Sequence, residues 1–389
     1  MNRVVRIIHS DSAGGICLLI TAILGVIAAN SPFAHQYFEL LEFHIGPMPL
    51  LEWVNDALMA IFFLFVGIEI KREMICGELN TNAKRFLPVI AACAGVLTPA
   101  AVYYLIAGHD PAFVHGWGIP TATDIAFAIG VMTMLGDKVP SAMKAFLSAL
   151  AVIDDLIAII VIAIFYGGGV SFQFLLYAAI VTAVLVYLNK NGYVRPVPYV
   201  VLGFVLWYCV LKSGIHATIA GVILAMTLPA TGVHQGKEVT PMADWDHALD
   251  KWVTFLIIPL FAFFNTGVSF GDFTVQDLFH PVVFGVIFGF LIGKQLGIFT
   301  TVYALVKAGA IKMPNNTKWI HVYGTSLVCG IGFTMSLFVA ALAFDPGIVQ
   351  ERAKVGIFIG SILSGVIGYA VLELAHKFRH KHDKLELSN

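Results

Sequence analysis

Three ionisable residues lie deep inside apolar stretches of this 389-residue sequence. Asp154 and Asp155 are adjacent in the segment LSALAVIDDLIAIIVIAIF, and Lys294 interrupts the apolar run 281–306. Small hard cations prefer oxygen ligands, and a carboxylate also accepts a proton. Burial and pairing with a cation shift a carboxyl pKa in opposite directions, so such a group can titrate near the working pH. The pattern favours a site at which a cation and a proton compete for the same carboxylates.

Asp154 and Lys294 both lie near the middle of their apolar runs, so we expect them at similar depth. Adjacent residues of a helix point about 100° apart. We therefore expect one acid to face Lys294 and the other to face an aqueous cavity. The alternative is a structural ion pair that only fixes helix packing. Two acids and one base leave a negative charge in excess, which favours the first interpretation.

Two further aspartates lie nearer the ends of apolar runs. Asp124 follows PTAT, and Thr121 with Asp124 three residues later resembles a capping box. In a broken helix, Asp124 and neighbouring hydroxyls would instead compensate the positive ends of half-helices. Thr123 and freed backbone carbonyls could then complete the ligand shell of a cation. We interpret Asp56, in WVNDALMA, as a simple helix cap.

The composition indicates a polytopic membrane protein. Hydrophobic residues make up 59% of the chain and charged residues 12%, and the mean hydropathy is +0.86. Soluble domains contain about 45–50% apolar and about 25% charged residues. The net charge of −1 gives no indication of nucleic-acid binding. The five cysteines form no CxxC pair, so we predict no disulfide framework and no zinc site, and we expect no cofactor.

The chain 1–389 is predicted to form one integral membrane domain with twelve spanning helices. When Lys144 and Lys354, at the starts of their spans, are counted with the preceding connections, 19 of the 23 Lys and Arg residues lie before the first span or after an even-numbered span, and 3 follow an odd-numbered span. This bias places both termini in the cytoplasm. We interpret the N-terminal segment as an uncleaved first helix rather than a signal peptide. The predicted spans are 13–29, 53–70, 87–107, 118–136, 142–165, 172–188, 197–211, 214–229, 252–268, 281–306, 319–344 and 354–376.

This topology makes spans 3–5 and spans 10–12 run in opposite senses. Their middle members look alike: WGIPTATDIAFAIG in span 4 and LVCGIGFTMSLF in span 11 both mix Gly with Thr, and span 4 adds Pro120. Gly weakens a helix, and Pro removes a hydrogen-bond donor and breaks it. Interrupted spans at corresponding positions of two halves are typical of transporters with inverted repeats. We predict an all-α fold in which spans 4 and 11 are interrupted and cross near the midplane; glycine-mediated packing of unbroken helices is the alternative. Small residues recurring every fourth position in spans 10 and 12 predict close helix packing.

The motifs TATDIAFAIG, ALAVIDDL, VLKSGIHATIAGV, LIGKQLGI and CGIGFTMSLF resemble those of the NhaA-type bacterial sodium/proton antiporters. The resemblance covers nearly the whole chain. It implies that Asp155 is the principal carboxylate for Na⁺, Li⁺ and protons, and that Asp154 exchanges between Lys294 and solvent. It places Thr123 and Asp124 in the unwound crossing, where Asp124 and Lys294 compensate helix dipoles. It also implies electrogenic exchange that exports sodium and is activated at alkaline pH, in the bacterial inner membrane.

The resemblance also indicates residues for the response to pH. Glu69, Lys71, Arg72 and Glu73 in GIEIKRE match a cytoplasmic funnel cluster, and His216 matches a residue linked to pH response. A structural role for this lone histidine is the alternative.

The loop MADWDHALDKW departs from the family pattern, which has a basic pair, a Glu and two His. Here the loop contains Ala243, Asp244, Asp246, His247 and Asp250. Of these, Asp246 and His247 are the candidates for the pH response, and we expect a shifted pH profile.

The connection between spans 1 and 2 is shorter than in the family, where it forms a dimerising hairpin. FHIGPMPL could form only a small hairpin, so a homodimer is possible.

Sodium-coupled symport of an organic solute would need a larger pocket, and no Arg lies within a span. A membrane hydrolase is disfavoured because the sequence contains no HExxH motif. A simple channel would not need interrupted helices. The sequence therefore predicts a transporter and not an enzyme, with the lipid bilayer and the transported ions as partners.

Overall fold

A computed structural model describes residues 13–77, 79–234, 237–271, 273–313 and 317–386. Helices dominate these residues, as the sequence predicts. The basic N-terminal segment 1–12, which carries Arg3 and Arg6, lies outside the described residues. The described helices are α1 (Ala13–Ala29), α2 (Ala34–Glu42), α3 (Leu50–Ile75), α4 (Asn82–Ala107), α5 (Ile125–Leu135), α6 (Ser141–Phe165), α7 (Phe172–Lys190), α8 (Pro196–Ser213), α9 (Ile219–Thr227), α10 (Pro241–Asn265), α11 (Pro281–Lys307), α12 (Trp319–Val328), α13 (Phe333–Ala343) and α14 (Ile348–Glu386).

Within the described ranges, nine helical segments are long and apolar enough to cross a membrane, and two bent pairs raise this number to eleven. The bent pairs are α1 with α2, at 109°, and α12 with α13, at 45°. The predicted eighth span, 214–229, corresponds to α9, which has 9 residues. At 1.5 Å per residue this helix is about 14 Å long, shorter than a bilayer core of ~30 Å. The polytopic helical fold is confirmed, with one short member.

Three of the described helices contain a π-helical turn, in which hydrogen bonds run from residue i to i+5. These turns are Trp53–Leu58 in α3, Val253–Ile257 in α10 and Gly289–Lys294 in α11. Asp56 lies in the first of them, inside α3, so its interpretation as a helix cap is wrong. The helix begins earlier than the hydropathy suggested, at Leu50, where Pro49 occupies the N-cap position. The third turn ends at Lys294.

The chain folds into two compact units. The first contains the described residues within 1–19, 78–158 and 268–389, and the second contains 20–77 and 159–267. In the first unit, the small residues of span 10 pack α11 against α4. A Cβ atom built on Gly293 would collide with backbone and ring atoms of Pro99, and one on Gly297 would collide with Ala94. The prediction that these glycines permit close helix packing is therefore confirmed.

A polar contact in the first unit joins a short 3-10 helix, Val275–Phe279, to α14. Arg352 donates to Oδ1 of Asp277 from Nε, at 2.9 Å, and from Nη2, at 2.6 Å. The backbone N–H and the hydroxyl of Thr274 donate to Oδ2 of the same carboxylate at 2.8 and 2.7 Å. The bonds from Thr274, followed by those from Arg352, hold the pKa of Asp277 at about 2.

In the second unit, α9 packs against α3 through Gly221 and Gly67, which lie against Ala60 and Ala225. Two short antiparallel hairpins also belong to this unit. The first pairs β1 (His44–Ile45) with β2 (Met48–Pro49), and the second pairs β3 (Gly232–His234) with β4 (Lys237–Val239). The small hairpin predicted for FHIGPMPL is thus present, whereas the second hairpin was not predicted.

Candidate functional site

Span 4 is interrupted in the way that its Pro and Gly residues predict. Val114–Thr121 form a 3-10 helix, the backbone is extended from Ala122 to Asp124, and α5 follows from Ile125. Pro120 has no backbone N–H and therefore cannot continue an α-helical hydrogen-bond pattern. The hydroxyl of Thr121 donates to the carbonyl of Gly118 at 2.7 Å, so the capping box that was one alternative for Thr121 and Asp124 does not form.

Span 11 is interrupted between α12 and α13, over residues 329–332. Two glycines make this break possible, because other chain segments approach them closely. A Cβ on Gly330 would lie 2.6 Å from Oγ of Ser364 and 2.7 Å from the carbonyl oxygen of Phe290. A Cβ on Gly332 would collide with Ser336 and with the ring of Phe290. The two interrupted spans are the middle members of spans 3–5 and 10–12, which is the arrangement that inverted repeats predict.

The two breaks contact each other directly. The backbone N–H of Asp124 donates to the carbonyl of Ile331 at 2.6 Å. The hydroxyl of Thr123 donates to the carbonyl of Cys329 at 2.8 Å, and the hydroxyl of Ser336 donates to that of Ile119 at 2.7 Å. These bonds satisfy backbone groups that an unwound helix leaves without partners, which would be costly in a buried setting.

The Asp124 carboxylate lies at the N-termini of both half-helices. Oδ1 accepts from the backbone N–H of Phe127, in the first turn of α5, at 3.0 Å. Oδ2 accepts from the backbone N–H of Thr334, in the first turn of α13, at 3.1 Å, and also from the Thr334 hydroxyl. A negative charge at this position interacts favourably with both helix dipoles. Asp124 therefore caps its own helix and also takes part in the crossing.

Asp154 and Lys294 form a fully buried ion pair. The ammonium nitrogen lies 2.6 Å from Oδ2 of Asp154, and the two side chains are 0% and 1% exposed. Thr123 lies beside this carboxylate, and Cys329 lies within electrostatic range of both charges. Oδ1 of Asp154 accepts no hydrogen bond from the described residues. Asp155 is 2% exposed. The crossing and the ion pair thus form one polar site inside the first unit.

No group of three or more His, Cys, Asp or Glu side chains that could hold a metal ion occurs among the described residues. A cation at Asp154 and Asp155 would therefore need hydroxyl or carbonyl oxygens to complete its shell. Thr123 is adjacent to Asp154 and can offer such an oxygen. Such an oxygen-only ligand set suits a small hard cation better than a transition metal.

Some of the residues predicted for the pH response come together in the second unit. Arg72 bonds to the carboxylate of Asp246, and its Nη2 lies 3.6 Å from Oε1 of Glu69. His247 is exposed, and His216 instead bonds to the carbonyl of Tyr166 at 2.8 Å.

Lys71 and Glu73 lie near the C-terminal end of α3, as Arg72 does. Glu73 is half-buried there. The ammonium group of Lys71 donates to the carbonyls of Ala225, Met226 and Leu228, at 3.4, 2.8 and 2.5 Å, and so caps the C-terminal end of α9.

Thr334, Ser336 and Ser361 also bond to the crossing, although they were not predicted as site residues. Thr334 lies in CGIGFTMSLF, and the presence of Thr in both interrupted spans was the signal that could have identified it. Nothing in the sequence marks Ser361, because its partners are backbone groups of another helix.

The sequence model of the family described as Na+/H+ antiporter 1 matches residues 5–372. The chain is 48% identical over 372 residues to the Na(+)/H(+) antiporter NhaA of Mesorhizobium japonicum, covering 95% of this chain and 94% of that relative. It is 46% identical over 374 residues to the NhaA of Caulobacter vibrioides, covering 96% and 91%. The solved structure of the sodium proton antiporter MjNhaP1 from Methanocaldococcus jannaschii at pH 8 has the same fold, with a TM-score of 0.54, 14% identity and coverage of 94% and 97%. The family match and the two relatives show that this chain belongs to the Na⁺/H⁺ antiporter 1 family, alongside the NhaA antiporters.

Proposed function

We propose that this protein exchanges Na⁺ for H⁺ across the bacterial inner membrane, and that Asp154 and Asp155 are the shared binding groups. Family membership supports the reaction. The observation that carries the assignment of residues is the buried carboxylate of Asp154, adjacent to Asp155 and paired with Lys294 beside the crossing. The site would hold either Na⁺ or a proton, and never both at once. It would therefore cross the membrane loaded, with the charge of its buried carboxylate compensated.

Asp155 would be the principal carboxylate for the cation and the proton. Asp154 would leave Lys294 when a cation binds between the two acids, and would return to Lys294 when the cation leaves. The Thr123 hydroxyl, which now donates to the carbonyl of Cys329, would turn to offer an oxygen to the cation. Asp124 would keep the two half-helices together during this exchange, because its carboxylate bonds to the first turn of each.

The finer properties also belong to the proposal. Exchange would be electrogenic, would accept Li⁺ as well as Na⁺, and would become active at alkaline pH. The contact between Arg72 and Asp246 supports a pH-responsive cluster with Glu69, Glu73 and His247. Residues 1–389 would form one transporter with both termini in the cytoplasm, and the hairpin of β1 and β2 would support a homodimer. Transport rather than catalysis is the activity that family membership supports.

Everted membrane vesicles with an acridine-type probe of the pH gradient test this proposal. Adding Na⁺ to vesicles that contain the wild-type protein should collapse the gradient. Asp155→Asn should abolish this response, because an amide neither carries the charge nor exchanges the proton. Asp137→Asn is a matched control, since Asp137 is exposed in the turn after α5. A full Na⁺ response from Asp155→Asn would show that the assignment of the binding carboxylate is wrong.

A further inference from the structure

A serine on the last helix bonds to the interrupted span from outside it. Ser361 belongs to α14, and its Oγ accepts from the backbone N–H of Gly332 at 3.3 Å and from that of Phe333 at 3.2 Å. The side chain is buried, with 4% of its surface exposed. A serine hydroxyl has two acceptor lone pairs, so one oxygen can satisfy both donors.

These two N–H groups belong to the beginning of α13, where a helix leaves its first donors without intrahelical partners. An N-cap residue normally supplies a side-chain acceptor. Here the N-cap residue is Gly332, which has no side chain, and the close approach of Phe290 leaves no room for one. The acceptors therefore come from elsewhere: Ser361 receives the first two donors, and Asp124 receives the next one, from Thr334.

The surroundings of Ser361 offer little to replace its hydroxyl. The serine lines a cavity of about 380 Å³ whose other walls include Phe127, Ile331 and Phe333. These walls are apolar, so the two N–H groups would be left without partners if the hydroxyl were removed, and unsatisfied buried donors are costly.

We propose that Ser361 is a positioning residue for cation exchange. Its hydroxyl acts as the missing N-cap of α13 and holds the end of this half-helix in the register at which Asp124 can bond to it. This role rests on the proposed function. Ser361 does not touch the cation; it acts through α13 and Asp124 on the neighbouring Thr123 and Asp154.

Ser364 provides a matched control on the same helix. It is 0% exposed, and its Oγ has no hydrogen-bond partner among the described residues. Ser364→Ala therefore removes a buried hydroxyl without removing a hydrogen bond, whereas Ser361→Ala removes two. Ser361→Thr keeps the hydroxyl, and the adjacent cavity provides space for the extra methyl group.

The first measurement is the Na⁺ dependence of the vesicle response. We expect Ser361→Ala to raise the KM for Na⁺ about tenfold, equivalent to ~1.4 kcal/mol, with a smaller effect on the maximal response. Ser364→Ala should match the wild type, and Ser361→Thr should recover most of the affinity. The second measurement is hydrogen exchange by mass spectrometry on the purified protein. Peptides covering Gly332 and Phe333 should exchange at least several-fold faster in Ser361→Ala than in Ser364→Ala.

The two measurements distinguish the possible failures. If Ser361→Ala shows the same KM for Na⁺ and the same rate of hydrogen exchange as Ser364→Ala, Ser361 is not a positioning residue, although the wild type still transports. Faster hydrogen exchange with an unchanged KM for Na⁺ would also overturn the proposal, because the cap would then have no effect on ion transport. If the wild type gives no Na⁺ response, the proposed function fails, and the transport role of Ser361 fails with it.

Discussion

Replacing Lys294 by Met should destabilise the protein by about 3–5 kcal/mol, because it leaves the buried Asp154 carboxylate without its cation. The two charged atoms are 2.6 Å apart, and both side chains are almost completely buried. At an effective dielectric constant of about 20, the Coulomb attraction at this distance is about 6 kcal/mol. Desolvation of both ions offsets part of this attraction, so the expected loss lies in the range found for broken buried pairs.

Thermal unfolding of the purified protein at neutral pH measures this loss, and we expect a melting temperature several degrees below that of the wild type. Lys138→Met is a matched control. Lys138 also forms an ion pair, at 2.5 Å from Glu373, but these side chains are 37% and 21% exposed. Solvent screens such a pair, so the control should melt close to the wild type.

The double variant Lys294→Met with Asp154→Asn should recover most of the lost stability, because it removes both charges together. The deficit of Lys294→Met should also shrink at lower pH, since the remaining carboxyl group can then take up a proton. If Lys294→Met has the melting temperature of the wild type, the buried ion pair does not stabilise the fold as described. A double variant as unstable as the sum of the two single variants would exclude a direct interaction between the two charges.

Three more outcomes are expected from the described contacts. Thr334→Val keeps the side-chain shape but removes the hydroxyl bond to Asp124, so the vesicle assay should show a KM for Na⁺ raised several-fold. Gly293→Val should reduce the yield of monodisperse protein in size-exclusion chromatography, because a side chain there collides with α4; Gly130→Val, at a position where a Cβ meets no atom within 4 Å, should not. Asp277→Asn should lower the melting temperature above about pH 4, and the difference from the wild type should vanish as the pH falls towards 2, because the folded pKa of about 2 lies below the unfolded value of ~3.9.

Hydropathy and the positions of charged residues were sufficient to predict the helical fold, because a membrane span needs a long apolar run. Pro120 and the glycines of spans 4 and 11 were sufficient to predict the two interruptions, because these residues weaken or break helices. Hydropathy did not show where helices begin. Asp56 therefore resembles a cap in the sequence, although α3 extends back to Leu50, and the capping box that was one alternative for Thr121 and Asp124 does not form.

The partners of polar residues at the crossing depend on contacts between distant segments, and sequence spacing does not encode these. Similar depth in the membrane allowed the pairing of Asp154 with Lys294 to be predicted, because both lie midway along apolar runs. No comparable count identifies Thr334 as a partner of Asp124, or Ser361 as a partner of Gly332. Small polar residues are common in such helices, and only the folded chain shows which of them meet.

The π-helical turn Gly289–Lys294 determines the direction in which the only charged side chain of α11's middle section points. A regular α-helix would need one residue fewer to cover the same rotation about its axis. Straightening this turn into a regular α-helix without removing a residue would rotate everything beyond it by about 100° around the helix axis. Gly297, which lies beyond the turn and packs against α4, would then no longer face that helix, and the ammonium group of Lys294 would turn away from its carboxylate. This local irregularity therefore lets one helix satisfy two angular demands, one for close contact with a neighbour and one for aiming a charge.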